Sequence, residues 1–144
     1  MALKSIDDDI IKVLSKIGLE EYEIENVYSR NKYLEKLIDE DVKDIIKYLY
    51  TNCKLEMHDI KNLILKNPLI LNESFSRIEA LEKIYKEIGI EKEKYKLLIN
   101  NFDKALSLNP MMLADNVKEL NKKGYDYSDI GELLIKNPYL VLEE

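Results

Sequence analysis

Few side chains in this chain can carry chemistry. There is one cysteine, Cys53, and one histidine, His58. A thiol and an imidazole can act as nucleophile and base. These two flank a predicted turn, and no third group or Gly-rich strand–turn motif supports them. A packed thiol and an exposed imidazole at a helix start is the better reading. One Cys and one His also fall short of the three or four ligands that a zinc site needs. The run Asp7-Asp8-Asp9 offers clustered carboxylates of the kind that hold calcium or magnesium. It lacks the glycine turn and the closing glutamate of a calcium loop, and it falls in a first helical turn, where acids complement the dipole. The glycines are isolated, so no loop cradles phosphate. The expectation is a chain with no catalytic residues, no metal and no cofactor.

The remaining candidates sit in a phrase that recurs four times. It reads Arg30-Asn31-Lys32-Tyr33-Leu34, Lys66-Asn67-Pro68-Leu69-Ile70, Leu108-Asn109-Pro110-Met111-Met112 and Lys136-Asn137-Pro138-Tyr139-Leu140. Its third residues, Lys32, Pro68, Pro110 and Pro138, are separated by 36, 42 and 28 residues. Three copies share an acid–Ile pair upstream: Glu23-Ile24, Asp59-Ile60 and Asp129-Ile130. Repetition at this scale indicates stacked units that bury their apolar faces on one another, and such arrays usually bind.

A cation opens three copies: Arg30, Lys66 and Lys136. Aligned cations can meet successive phosphates. Taken singly, each is better explained as a base near a helix C-terminus, where cations are favoured anyway. Arg30 and Arg77 are the only arginines, so bidentate base reading is poorly provided for. The tyrosines invite a base-stacking reading. Tyr33 and Tyr139 share a position with Leu69, and that aliphatic equivalent favours packing instead.

The elements that hold these residues read as helices throughout. Leu, Ile, Lys and Glu abound, Gly and Pro are scarce, and no alternating hairpin pattern stands out. Ser5 predicts a cap for a helix ended by Gly18. Helices follow at about 20–29, from Asp39 as a cap, and at about 57–66. Asn72 or Ser74 caps the next, which Gly89 ends. Others are expected at about 91–107, from Asp115 to Gly124, and at about 127–136. Each proline should end a helix and open a short 3₁₀ turn. The inward positions expected to be buried are Ile60, Leu63, Leu71, Ile78, Leu81, Leu113, Leu120, Ile130, Leu133 and Leu134.

The 144-residue chain suits one domain, and no Pro/Gly/Ser-rich linker divides it. Apolar residues at 46% and charged residues at 35% give a globular balance. The N-terminus resembles no signal or transit peptide, and no uncharged run is long enough to cross a bilayer. With a lone cysteine, a cytoplasmic location is expected. The bias to Lys, Ile and Asn suggests an AT-rich, bacterial genome. A net charge of −6 opposes nucleic acid globally, though residues 53–101 are the least acidic stretch.

Pro68, Leu71, Ile78 and Tyr85, and again Pro110, Leu113, Leu120 and Tyr127, fit Pro-x-x-Leu followed by two heptad steps. This resembles the repeat of the mitochondrial transcription termination factor family, mTERF, over nearly the whole chain. The resemblance implies an all-α fold: a curved array of about four helix–helix–3₁₀ repeats that binds nucleic acid on a concave face. The expected function is a non-enzymatic binding module, contacting phosphates through Arg30, Lys66 and Lys136. The acidic charge supports a nearly equal alternative, a protein–protein adaptor or inhibitor. Neither reading involves a membrane or a small-molecule cofactor.

Overall fold

The apolar periodicity resolves into helices in the computed structural model, which describes residues 6–142. The order is α1 (Asp8–Lys16), α2 (Glu21–Arg30), a 3₁₀ turn (Lys32–Lys36), α3 (Asp39–Thr51), α4 (Met57–Lys66) and a 3₁₀ turn (Pro68–Asn72). Then come α5 (Phe75–Glu87), α6 (Glu93–Asn101), α7 (Pro110–Lys122), α8 (Tyr127–Lys136) and α9 (Pro138–Leu142). The described residues contain no strand. No helix among them is long and apolar enough to cross a membrane.

The chain divides into two compact units between Asn72 and Glu73. In the first, α1 packs on α3 and α2 on α4. In the second, α5 packs on α7 and α6 on α8. Each unit therefore holds two helix pairs, with like helices adjacent. The cores are aliphatic: Ile10, Leu14, Ile24, Leu49, Ile60 and Ile64 are sealed in the first, and Ile78, Leu81, Leu98, Leu113 and Leu134 in the second. Of the ten expected inward positions, eight are buried; Leu120 and Leu133 are half-buried.

The true period is more regular than the proline phrase suggests. The second helices of the pairs end at Arg30, Lys66, Asn101 and Lys136, at intervals of 36, 35 and 35 residues. The turns between paired helices share a positive-φ position, Gly18, Lys54, Gly89 and Gly124, at the same intervals of 36, 35 and 35, and the third turn adds Lys92 at φ 55° just before α6. The next residue's N–H reaches back to close the helix: Leu19 to the Leu14 carbonyl, Ile90 to Tyr85 and Tyr125 to Leu120, at 3.1, 2.8 and 3.2 Å. This is the glycine-dependent way of ending a helix. The second pair has a lysine at φ 61° there, and its closing bond, from the Leu55 N–H to the Leu49 carbonyl at 3.1 Å, spans one residue more. A side chain there carries a steric cost that glycine avoids. Lys54→Gly is expected to raise stability by about 1 kcal/mol in a urea melt; a loss of stability would show the turn to be unstrained.

This register corrects the third copy of the phrase. Pro110 does not follow a helix and open a 3₁₀ turn. It is the first residue of the 13-residue α7. Asn109 caps that helix, accepting from the N–H groups of Met111 and Met112 at 2.9 and 3.2 Å. The same Asn-Pro pair thus stops a chain segment at Asn67-Pro68 and starts one at Asn109-Pro110, because proline suits the first turn of a helix as well as its exit. Asp115 lies inside α7 rather than capping it. The helix expected at 91–107 ends at Asn101, and residues 103–106 form a hydrogen-bonded turn. Pro138 does follow a helix but opens a short α-helix, not a 3₁₀ turn.

At the starts, Asp7 caps α1 by accepting from the Asp9 N–H at 2.8 Å, while Ser5 lies outside the described residues. Ile38 rather than Asp39 holds the cap position of α3. Ser74 caps α5.

Candidate nucleic-acid interface

The candidate site is built from the second helix of each pair. Three of these, α2, α4 and α8, are ten residues long. That length puts the acid of the acid–Ile pair at the third position, the Ile at the fourth and the phrase's cation at the tenth. Glu23 and Asp59 then reach back to the N–H groups of Glu20 and Glu56, at 2.9 and 3.0 Å. Ile24, Ile60 and Ile130 are sealed in the core. In α8, Asp126 caps by accepting from the Asp129 N–H at 3.0 Å, and that bond holds its carboxyl below the usual carboxylate range. Acids thus cluster at the positive end of each dipole and cations at the negative end.

Arg30, Lys66 and Lys136 are each the last residue of their helix, and all three are exposed. Just beyond them the chain turns in the same way each time. Asn31, Asn67 and Asn137 have φ near −147, −135 and −151° with ψ of 77, 77 and 80°. The Asn31 and Asn67 carbonyls accept from Leu34 and Ile70 at 3.1 and 3.0 Å. Phe102 follows α6 with φ −138°, and its carbonyl accepts from Ala105 at 3.1 Å. The third phrase is therefore Asn101-Phe102-Asp103-Lys104-Ala105. Asn101 stands where the others have a cation, and exposed Lys104 lies three residues on. Without proline or the Asn signature, only the geometry reveals Lys104.

Within the first unit, α2 and α4 run parallel and in register. Glu23 near the start of α2 pairs with Lys61 of α4 at 3.4 Å. Arg30 at the end of α2 donates through Nη2 to the Leu65 carbonyl near the end of α4. Its Nε and Nη2 also bond the Asn26 Oδ1, at 3.1 and 2.7 Å, which fixes the guanidinium and leaves Nη1 for an outside acceptor. Asn31, buried, donates to the Pro68 carbonyl at 3.0 Å, and it exchanges bonds with Asn72 at 3.0 and 2.9 Å. One phrase is thereby bolted to the next, so Arg30 and Lys66 share one end of the unit.

The second unit repeats the plan with altered chemistry. Lys94, near the start of α6, pairs with Glu132 of α8 at 2.9 Å, and its hydrogen bond and charge hold the Glu132 carboxyl low. Phe102, just past α6, meets the Tyr139 ring edge-on with centroids 5.9 Å apart. The α6 and α8 ends are again neighbours. Deeper inside, the Tyr85 hydroxyl donates to the Ala105 carbonyl, and burial raises its pKa.

The tyrosines divide by position. Tyr28, Tyr48, Tyr85 and Tyr95 are core residues. Tyr33 and Tyr139 are not packed as Leu69 had suggested: they are 53% and 70% exposed, and Leu69 itself is 50% exposed. The position one past the anchor faces outward whatever occupies it.

Cys53 is fully buried, and His58 lies exposed in the first turn of α4 beside Glu56 and Asp59, at 3.7 and 3.3 Å. No group of three or more metal-ligating side chains occurs among the described residues.

A search of curated proteins finds no match. The family model for mTERF matches residues 3–143, nearly the whole chain. The matched span takes in all four helix pairs with their recurring exits, and the chain belongs to the mTERF family.

Proposed function

We propose that this chain is a non-enzymatic nucleic-acid-binding module that holds its ligand mainly by phosphate contacts from Arg30, Lys66 and Lys136. The observation that carries the reading is positional. Three exposed cations end three equivalent helices, each followed by the same backbone turn. Membership of the mTERF family supports it. In the first unit Arg30 is braced by Asn26 and the Leu65 carbonyl, so its side chain is ordered before any ligand arrives. Lys104 supplies a cation to the repeat whose helix ends in Asn101.

Phosphate contacts release counterions, so log affinity should fall steeply with log salt. Replacing Arg30, Lys66 and Lys136 together by Gln should weaken binding to any sequence alike and flatten the salt slope by about three. Adding Lys104→Gln should remove about one more. A titration of mixed-sequence DNA and RNA at low ionic strength checks this, and an unchanged slope would refute the assignment.

One observation favours a second reading, a basic protein partner. The starts of α2 and α4 carry Glu20, Glu21 and Glu56 beside exposed Tyr22 and Met57. Absence of binding to either nucleic acid at low salt would put that reading in front.

A further inference from the structure

The exposed position one past the anchor extends the phosphate reading, on which this inference rests, to the form of the strand. Tyr33, Leu69 and Tyr139 each follow an exposed cation by three residues, yet Leu34 and Ile70, next to the first two, are buried, as is Val141 two residues past Tyr139. Their exposure is thus a property of the position, not of a loose segment. Packing gives no reason to keep a large apolar side chain outside at three of four equivalent places. A ligand that offers both negative charge and flat apolar faces does.

We propose that this chain binds single-stranded nucleic acid in preference to duplex, with Tyr33 and Tyr139 stacking on unpaired bases beside the phosphates held by Arg30 and Lys136. Cations interleaved with aromatic platforms are how single strands are held without sequence preference, because every base has a π-face. In a duplex those faces are stacked away, and sequence must be read from groove edges, chiefly by arginine. This chain has two arginines, and Arg30 is already tied to Asn26 and Leu65. A net charge of −6 also disfavours the denser charge of a duplex. Tyr139 is partly ordered in advance by its edge contact with Phe102.

The test is fluorescence anisotropy at low ionic strength, using a mixed-sequence labelled strand of about 20 nucleotides and the same strand annealed to its complement. The strand should bind at least about tenfold tighter than the duplex. Tyr33→Ala and Tyr139→Ala should each weaken strand binding by about 5- to 100-fold, while Tyr→Phe at either site keeps it. Both sites are exposed, so the variants should fold, and circular dichroism checks that. Equal or tighter duplex binding overturns the proposal. So do alanine variants that bind the strand like the parent, even where the triple Gln variant still weakens it; that result leaves the phosphate reading standing. Binding to neither form overturns both.

Discussion

Gly131→Ala should lower stability by about 3 kcal/mol, a melting-temperature fall of about 10 °C. An alanine Cβ at this point of α8 would sit 2.0 Å from the Ile88 carbonyl oxygen and 3.1 Å from its carbon. These are backbone atoms at the end of α5, so no side chain can swing aside. Either α8 withdraws, opening gaps around buried Ile130 and Leu134, or the turn at Gly89 distorts. Gly89→Ala is the natural control. Its Cβ would meet nothing within 4 Å, so only the cost of φ +82° remains, about 1 kcal/mol. If both variants melt together, the close approach of α8 to the α5 terminus is wrong.

Asn31→Leu should cost about 3 kcal/mol. The side chain is buried and makes three hydrogen bonds, to the Pro68 carbonyl and with the Asn72 amide. Leucine fills similar space but leaves those groups without partners, and each such buried group costs about 1–3 kcal/mol. Because the bond ties the exit of α2 to that of α4, the damage should reach binding too. Arg30 and Lys66 would lose their fixed spacing, so the salt slope should fall along with the stability. Urea melts and the titration described above, run on the same variant, check both parts. A loss below about 1 kcal/mol would show that the asparagine pair is not the tie it resembles.

Much of this fold is legible in the sequence where a local rule acts alone. The bounds of α4 and α8 follow from one-face apolar spacing and the Asn-Pro exit. The third repeat was not legible, because asparagine followed by proline serves both to leave a helix and to enter one. Its real exit, Asn101-Phe102, has neither proline nor a cation. Lys54 hid another repeat mark by standing where the other turns have glycine. Gly131 carries no signal, since its need for a hydrogen side chain is set by a carbonyl 43 residues away. For the candidate site, the cations were visible as a recurring letter. That Tyr33, Leu69 and Tyr139 face outward was not, because an apolar residue in an apolar phrase reads as core until the direction of the turn is known.

Two cross-helix ion pairs set the repeats of one unit apart from those of the other. Glu23 meets Lys61 in the first unit, whereas Lys94, at the position equivalent to Glu23, meets Glu132 in the second. The charges are reversed. Lys61 is the fifth residue of α4 and Glu132 the sixth of α8, so the two partners differ in helix position as well as in sign. Repeats built on one plan thus make neighbour contacts that differ in sign and in position, one physical means of telling one pairing from another.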